Sequence, residues 1–365
     1  MKEMADHKKN PFRPSFGSIP ITMAGRSDII DDIMEGLDND PGDPNRACIF
    51  VGARGTGKTV MMARIAEIAE QRGWISIDVT SGENILEEII VQIREKAEHI
   101  LAGDTLRRIS GIQIAGSSIS FSFNEQKSTW RSELTRLVAE INAAACGLLI
   151  TIDEISVKDD GLKKIIETFQ HLVRERRNVA VMMAGLPGNV SSLLTDERVS
   201  FVRRAFKHNL EAISTGEVAY AIKQTVESGG RRIDDDAMWL AAEETEGFAF
   251  MIQLIGYHMW RQSPGNESIT KEDVLSAVAF ARRDMESSVF EDTLMELTSR
   301  EKEFLCAMSF EDESAMIDVA DRMGITLNNA VHIKRRLAER GVVVPAGRGR
   351  VRFAQKSLGA YVSKK

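Results

Sequence analysis

Long apolar runs are missing from this 365-residue chain. None approaches the roughly 18 residues that a membrane-spanning helix needs. The opening residues, Met1-Lys2-Glu3-Met4-Ala5-Asp6-His7, lack the apolar centre of a signal peptide, so a cytoplasmic protein without membrane contact is expected. Cysteine is scarce: Cys48, Cys146 and Cys306 lie far apart in apolar segments. That excludes a disulfide framework and a zinc ribbon, and makes all three expected core residues. The six histidines show no H-x-x-H spacing, and neither internal repeats nor extended low-complexity segments occur. What is present, 43% apolar and 28% charged residues, reads as a globular chain with room for two or three domains.

Charge is distributed unevenly. The chain as a whole carries −7, but Thr326 to Lys365 holds ten Lys or Arg against one acid, Glu339, which is +9 for this tail and −16 for the rest. Such asymmetry marks contact with nucleic acid or another polyanion.

The most specific motif is Gly52-Ala53-Arg54-Gly55-Thr56-Gly57-Lys58-Thr59, with Val60 opening the next helix. It follows the apolar run 47–51 and matches G-x-x-x-x-G-K-[ST]. Glycines are needed there because successive N–H groups must turn inward on phosphates, with Lys58 reaching the β and γ phosphates of ATP and Thr59 binding Mg²⁺. The helix that follows adds its positive end to the same anion site. A second signal is Leu148-Leu149-Ile150-Thr151-Ile152-Asp153-Glu154, an apolar strand ending in two acids. Asp153 is placed to hold the Mg²⁺ shell and Glu154 to polarise the attacking water.

Strands are expected at 48–52, 74–79, 148–153 and 179–184, alternating with helices at 58–71, 83–101, 129–145 and 160–177. That alternation predicts an α/β fold with a parallel sheet covered by helices on both faces. Residues 112–123 alternate apolar and polar around Gly116-Ser117 and read as a hairpin, either capping the sheet or projecting toward a partner. Helices then dominate, at 215–228, 234–246, 248–261 and 271–285. A last unit follows with helices near 299–308, 315–323 and 326–340 and strands at 342–345 and 349–353. The expected organisation is an extension with a short helix (1–46), an ATPase core (47–213), a helical lid (214–290) and a terminal unit (296–365).

Together the loop, the Asp-Glu strand, the all-helical lid and the terminal unit resemble an AAA+ ATPase carrying a winged helix-turn-helix. More narrowly, the order is similar to the origin-recognition and archaeal replication-initiator ATPases and their bacterial relatives. The resemblance implies that Gly25 and Arg26 belong to the box that wraps the adenine, with Pro20 and Ile21 lining the same pocket. It also implies that Arg203 or Arg204, with Arg198 behind them, is an arginine finger offered to a neighbouring subunit, which makes a homo-oligomer the expected ATP-bound form. Two positions depart from the family pattern. The fourth strand ends in Met182-Met183-Ala184-Gly185-Leu186-Pro187 without a polar sensor before Asn189, and the lid sequence 246–254 lacks the usual arginine. Slow or assembly-dependent hydrolysis is the consequence.

In the last unit Ala330, Ile333 and Leu337 form a core-facing stripe that turns Asn328, Asn329, His332, Arg335 and Arg336 outward on the recognition helix. Arg348, Arg350 and Arg352 alternate along the wing. Duplex DNA is the expected partner, through base edges and phosphates. The alternative is a signalling or mobile-element switch in which the same unit docks an unknown protein.

Overall fold

β-Branched apolar segments supply the strands of one sheet, and the amphipathic segments between them cover it. A computed structural model describes residues 8–15, 17–109, 129–262, 264–308 and 313–364; the expected hairpin at 112–123 lies outside them. The core runs α1 (Ser27–Asp38), β1 (Ala47–Val51), α2 (Lys58–Gln71), β2 (Trp74–Thr80), α3 (Ile85–Ile109), α4 (Trp130–Ala143), β3 (Gly147–Asp153), α5 (Asp160–Arg174), β4 (Val179–Gly185), α6 (Pro187–Thr195) and β5 (Phe206–Asn209). All five strands are parallel, in the order β2-β3-β4-β1-β5.

Burial follows position in the sheet. β4 is buried along its whole length and β3 up to Asp153, whereas the edge strand β5 is largely exposed. Strands covered on both faces need continuous apolar sequence, which these two have. One face packs on α3, α4 and α5 through residues such as Ile89, Val138 and Ile165. The other packs on α1 and α2 through Ile33, Met61 and Ile65.

Two core elements depart from expectation. Helix α3 continues through Gly103 to Ile109 instead of stopping at 101, because one interior glycine costs only about 1 kcal/mol and does not end a helix. Helix α6 occupies a stretch in which no helix was expected, starting on Pro187, whose missing N–H costs nothing at a first helical turn.

The lid comprises α7 (Thr215–Ser228), β6 (Arg232–Ile233), α8 (Asp235–Glu244), α9 (Ala249–Gln262), β7 (Ser268–Ile269) and α10 (Lys271–Met285). A Ser214–Glu217 capping box starts α7 and a Thr270–Asp273 box starts α10. The extended segment before α1 lies on this lid. Phe12 is 2% exposed, and a Cβ at Gly256 of α9 would stand 2.1 Å from its ring, so only glycine admits it.

From α10 the chain passes through a π-helical turn, Glu286–Phe290, into α11 (Glu291–Met295). The terminal unit then runs α12 (Ser299–Ala307), β8 (Ser314–Ala315), α13 (Met316–Arg322), α14 (Leu327–Glu339), β9 (Val343–Pro345), β10 (Arg350–Phe353) and α15 (Lys356–Val362). β10 pairs antiparallel with both β8 and β9. Lid and terminal unit share one buried cluster, running from Ile255 and Phe290 to Phe304, Leu337 and Tyr361. The sequence boundary near 290–296 therefore marks a change of elements across a continuous core. Cys48 is buried, but Cys306 is exposed, contrary to the expectation of three core cysteines, and Cys146 is partly exposed. Phe304 and Leu305 take the inward face of the short helix α12, and the next position turns outward.

Candidate nucleotide site

The loop after β1, which lies between β4 and β5, opens into α2. Gly57, the residue before that helix, has φ 88°, and a Cβ there would stand 3.0 Å from the Cβ of Ala249 at the start of α9. A side chain would be strained by both backbone and neighbour. The lid closes on the loop here, with the N–H of Phe250 donating to the carbonyl of Gly55 at 3.2 Å. From the opposite side Arg26 donates through Nη1 to the Thr56 carbonyl (2.7 Å) and through Nη2 to that of Glu211 (3.1 Å). Burial lowers its pKa from the ordinary guanidinium value, opposed by the charge of Glu217. Arg26 thus ties the loop to the entrance of the lid. Pro20 and Ala24 line the same cavity, while Ile21 is half exposed.

Lys58 Nζ donates to the carbonyls of Gly52 (3.0 Å) and Ala53 (2.8 Å). Burial lowers its pKa to about 8, against the opposing charges of Asp153 and Glu154. Two carbonyls share the cation without neutralising it, which leaves a half-buried positive charge suited to an anion.

Thr59 Oγ1 donates to Asp153 Oδ2 at 2.5 Å, so α2 and the end of β3 bring a hydroxyl and a carboxylate together. The other carboxylate oxygen of Asp153 accepts from the N–H of Glu154 at 2.8 Å. Glu154 itself has φ 51°, a left-handed conformation that costs a non-glycine residue about 1 kcal/mol or more and concentrates at functional sites. One carboxylate and one hydroxyl fit Mg²⁺, a hard ion that takes few protein oxygens and relies on phosphate and water for the remainder. Among the described residues no cluster of three or more His, Cys, Asp or Glu could hold a metal by itself.

These groups face a cavity of about 1090 Å³, which is also lined by Val60, Asn189 and Gln253 and by Arg336 and Arg340 of the terminal unit. Asn189, near the start of α6, is the polar side chain that β4 itself lacks. The lid contributes Ala249, Phe250 and Ile252 and no cation.

The finger candidates lie apart from this cavity, on the 3-10 stretch Glu197–Arg204. Arg203 Nε donates to the Leu194 carbonyl at 2.7 Å, Arg204 is exposed, and Arg198 pairs with Asp160 at 3.3 Å. In the terminal unit Asn328, Asn329, His332 and Arg335 are exposed on α14, opposite the buried Ala330, Ile333 and Leu337. Arg350 and Arg352 share the exposed face of β10, and Arg348 stands in the turn before it. Arg336 is exposed on α14 as well. It also pairs with the buried Glu301 at 3.2 Å and lines the nucleotide cavity.

A family model described as a domain of unknown function, DUF8462, matches residues 287–362. No curated protein matches the sequence. Among solved structures, the Walker-type ATPase PABY2304 of Pyrococcus abyssi has a TM-score of 0.66 at 15% identity, covering 93% of this chain and 96% of that one. The Aeropyrum pernix ORC2 protein in its ADPNP-ADP complexes has a TM-score of 0.63 at 14% identity, covering 96% and 95%. At such identities the likeness is one of fold. A P-loop after β1, an acid pair on the strand next but one and a helical lid closing over both give this chain the AAA+ fold, similar to that ORC protein.

Proposed function

We propose that this chain binds and slowly hydrolyses ATP with Mg²⁺, and that its terminal unit is a winged helix-turn-helix that binds duplex DNA under control of the nucleotide. The observation that supports this best is the convergence of Lys58, Thr59, Asp153 and Glu154 on one cavity closed by the lid. The loop 52–59 with Val60 cradles the phosphates, and Gly25 and Arg26 hold the entrance to α1 beside it. Thr59 and Asp153 would hold Mg²⁺, whose charge screens the phosphate oxygens when bound. Glu154 accepts a proton from the attacking water. Arg203 or Arg204 of a second copy completes the site in an oligomer, where a guanidinium offsets charge spreading over the transferred phosphoryl group.

On the DNA side, Asn328, Asn329, His332 and Arg335 meet the major groove, and Arg348, Arg350 and Arg352 meet the backbone or minor groove. A cytoplasmic location is consistent with this reading. One observation favours a second reading: Ile317, Leu327 and Val331 are exposed on α13 and α14, as they would be on a unit that docks a protein partner in a nucleotide-gated switch.

The test is ATP turnover by the full chain with and without duplex DNA, beside Glu154→Gln and a wing variant in which Arg348, Arg350 and Arg352 are all replaced by alanine. Turnover that DNA stimulates in the wild type but not in the wing variant, and that Glu154→Gln abolishes, supports the reading. Nucleotide binding with neither turnover nor a DNA response favours the switch and overturns the DNA-coupled ATPase.

A further inference from the structure

The carboxyl end of α14 is wedged against the nucleotide site. Gly341, two residues after the helix, has φ 71°, and a Cβ there would stand 2.9 Å from the Cα of Ala53 in the P-loop. A Cβ at Gly188 would stand 2.6 Å from the Cβ of Glu339. Ala53 follows β1 and Gly188 follows β4, and these strands are neighbours. Residues 339–341 therefore sit across the carboxyl ends of the two strands between which a P-loop presents its phosphates. Asp153 and Glu154 end the next strand along.

Two arginines come with this contact. Arg336 is held through Nε by Glu301, whose side chain is 1% exposed. Burial pushes the Glu301 carboxyl up, but hydrogen bonds from Thr298 and the charges of Arg340 and Arg336 outweigh it and hold its pKa below the ordinary carboxylate value. Arg340 donates through Nη1 to the carbonyl of Glu296 at 3.1 Å, while the Glu296 carboxylate pairs with Arg54 of the P-loop at 2.7 Å. The cavity wall also carries Asp292 and Glu339. Thus the lid, which brings no cation of its own, is backed by a terminal unit that brings two.

We propose that Arg336 and Arg340 bind the terminal phosphates of the nucleotide, so that the terminal unit supplies in cis the cationic contact that the lid lacks. This rests on the ATP-binding reading above. A guanidinium favours phosphate because its fixed fork of donors matches two oxygens at once. A phosphate that draws in Arg340 or Arg54 competes with Glu296, and the seat of the terminal unit then depends on which nucleotide is bound. Since α14 has 13 residues and is about 20 Å long, its first turns remain free for DNA while its last turn reads the nucleotide.

Affinities of the full chain for fluorescent ATP, ADP and AMP test the proposal, using wild type, Arg336→Ala, Arg340→Ala and the exposed control Arg300→Ala. Each of the first two variants is expected to weaken ATP about tenfold or more, ADP less and AMP hardly at all, with Arg300→Ala unchanged. Arg336→Lys and Arg340→Lys keep the charge but lose the fork, and are expected to recover only part of the ATP affinity lost in the alanine variants, which separates phosphate contact from failure to fold. An equal loss for all three nucleotides, or no loss for ATP, overturns the proposal and leaves ATP binding intact. A wild-type chain that binds no nucleotide overturns both, and Lys58→Ala shows the signal of that outcome.

Discussion

The P-loop and the carboxyl end of α14 face the same cavity, yet they are built in opposite ways. The P-loop is one contiguous stretch whose glycines and lysine act through local backbone geometry. The α14 face is gathered from residues 296, 301, 336 and 340, brought to the loop by the packing of the lid against the terminal unit. Disruption of the first should remove binding outright, whereas disruption of the second should grade it.

Lys58→Ala should produce the largest effect, a loss of ATP affinity of about a hundredfold or more in a fluorescence titration, because the loop then lacks its lysine cation for the phosphates. Comparable binding by this variant would put the nucleotide elsewhere. Glu154→Gln should keep that affinity while phosphate release falls by about 10²–10⁴-fold; unchanged turnover would remove Glu154 from the chemistry. Gly341→Val sharpens the comparison from the other side. A side chain at φ 71° that also meets Ala53 should lower stability by about 1–3 kcal/mol in urea unfolding, and an unchanged midpoint would argue against the seated arrangement. On the wing, Arg352→Ala should weaken DNA binding a few-fold and reduce the slope of log affinity against log salt by about one; an unaltered slope would take Arg352 off the phosphates.

The smallest effect concerns pH. With Lys58 at about 8, ATP affinity should be level below that value and decline above it, as the ammonium of the unliganded site loses its proton. Titrations at pH 7 and 9 check this, and equal affinities at both would mean that Lys58 remains charged throughout.

Much of the fold was legible in the sequence. Parallel strands buried on both faces must be continuously apolar, and 148–153 and 179–184 read that way. The lid and terminal helices carry strong caps and apolar stripes, and their ends fell within a few residues of expectation. Helix α6 was missed because Gly188, Asn189 and two serines resemble a loop after Pro187; neighbours on both sides hold it helical. Cys306 was misplaced because an apolar segment does not say which side of a short helix faces inward. The pairing of Arg336 with Glu301 was not legible, because that partner lies 35 positions earlier in the chain.

The P-loop, the acid pair on β3 and the alternation of strands and helices were determined by the sequence alone, because glycine geometry, carboxylate chemistry and burial period act between near neighbours. Where Asn189 lies, which carbonyls Arg26 holds and which cations the terminal unit brings to the cavity were decided only by the tertiary structure. Each depends on contacts between segments far apart in the chain, where small differences in packing select one partner among many.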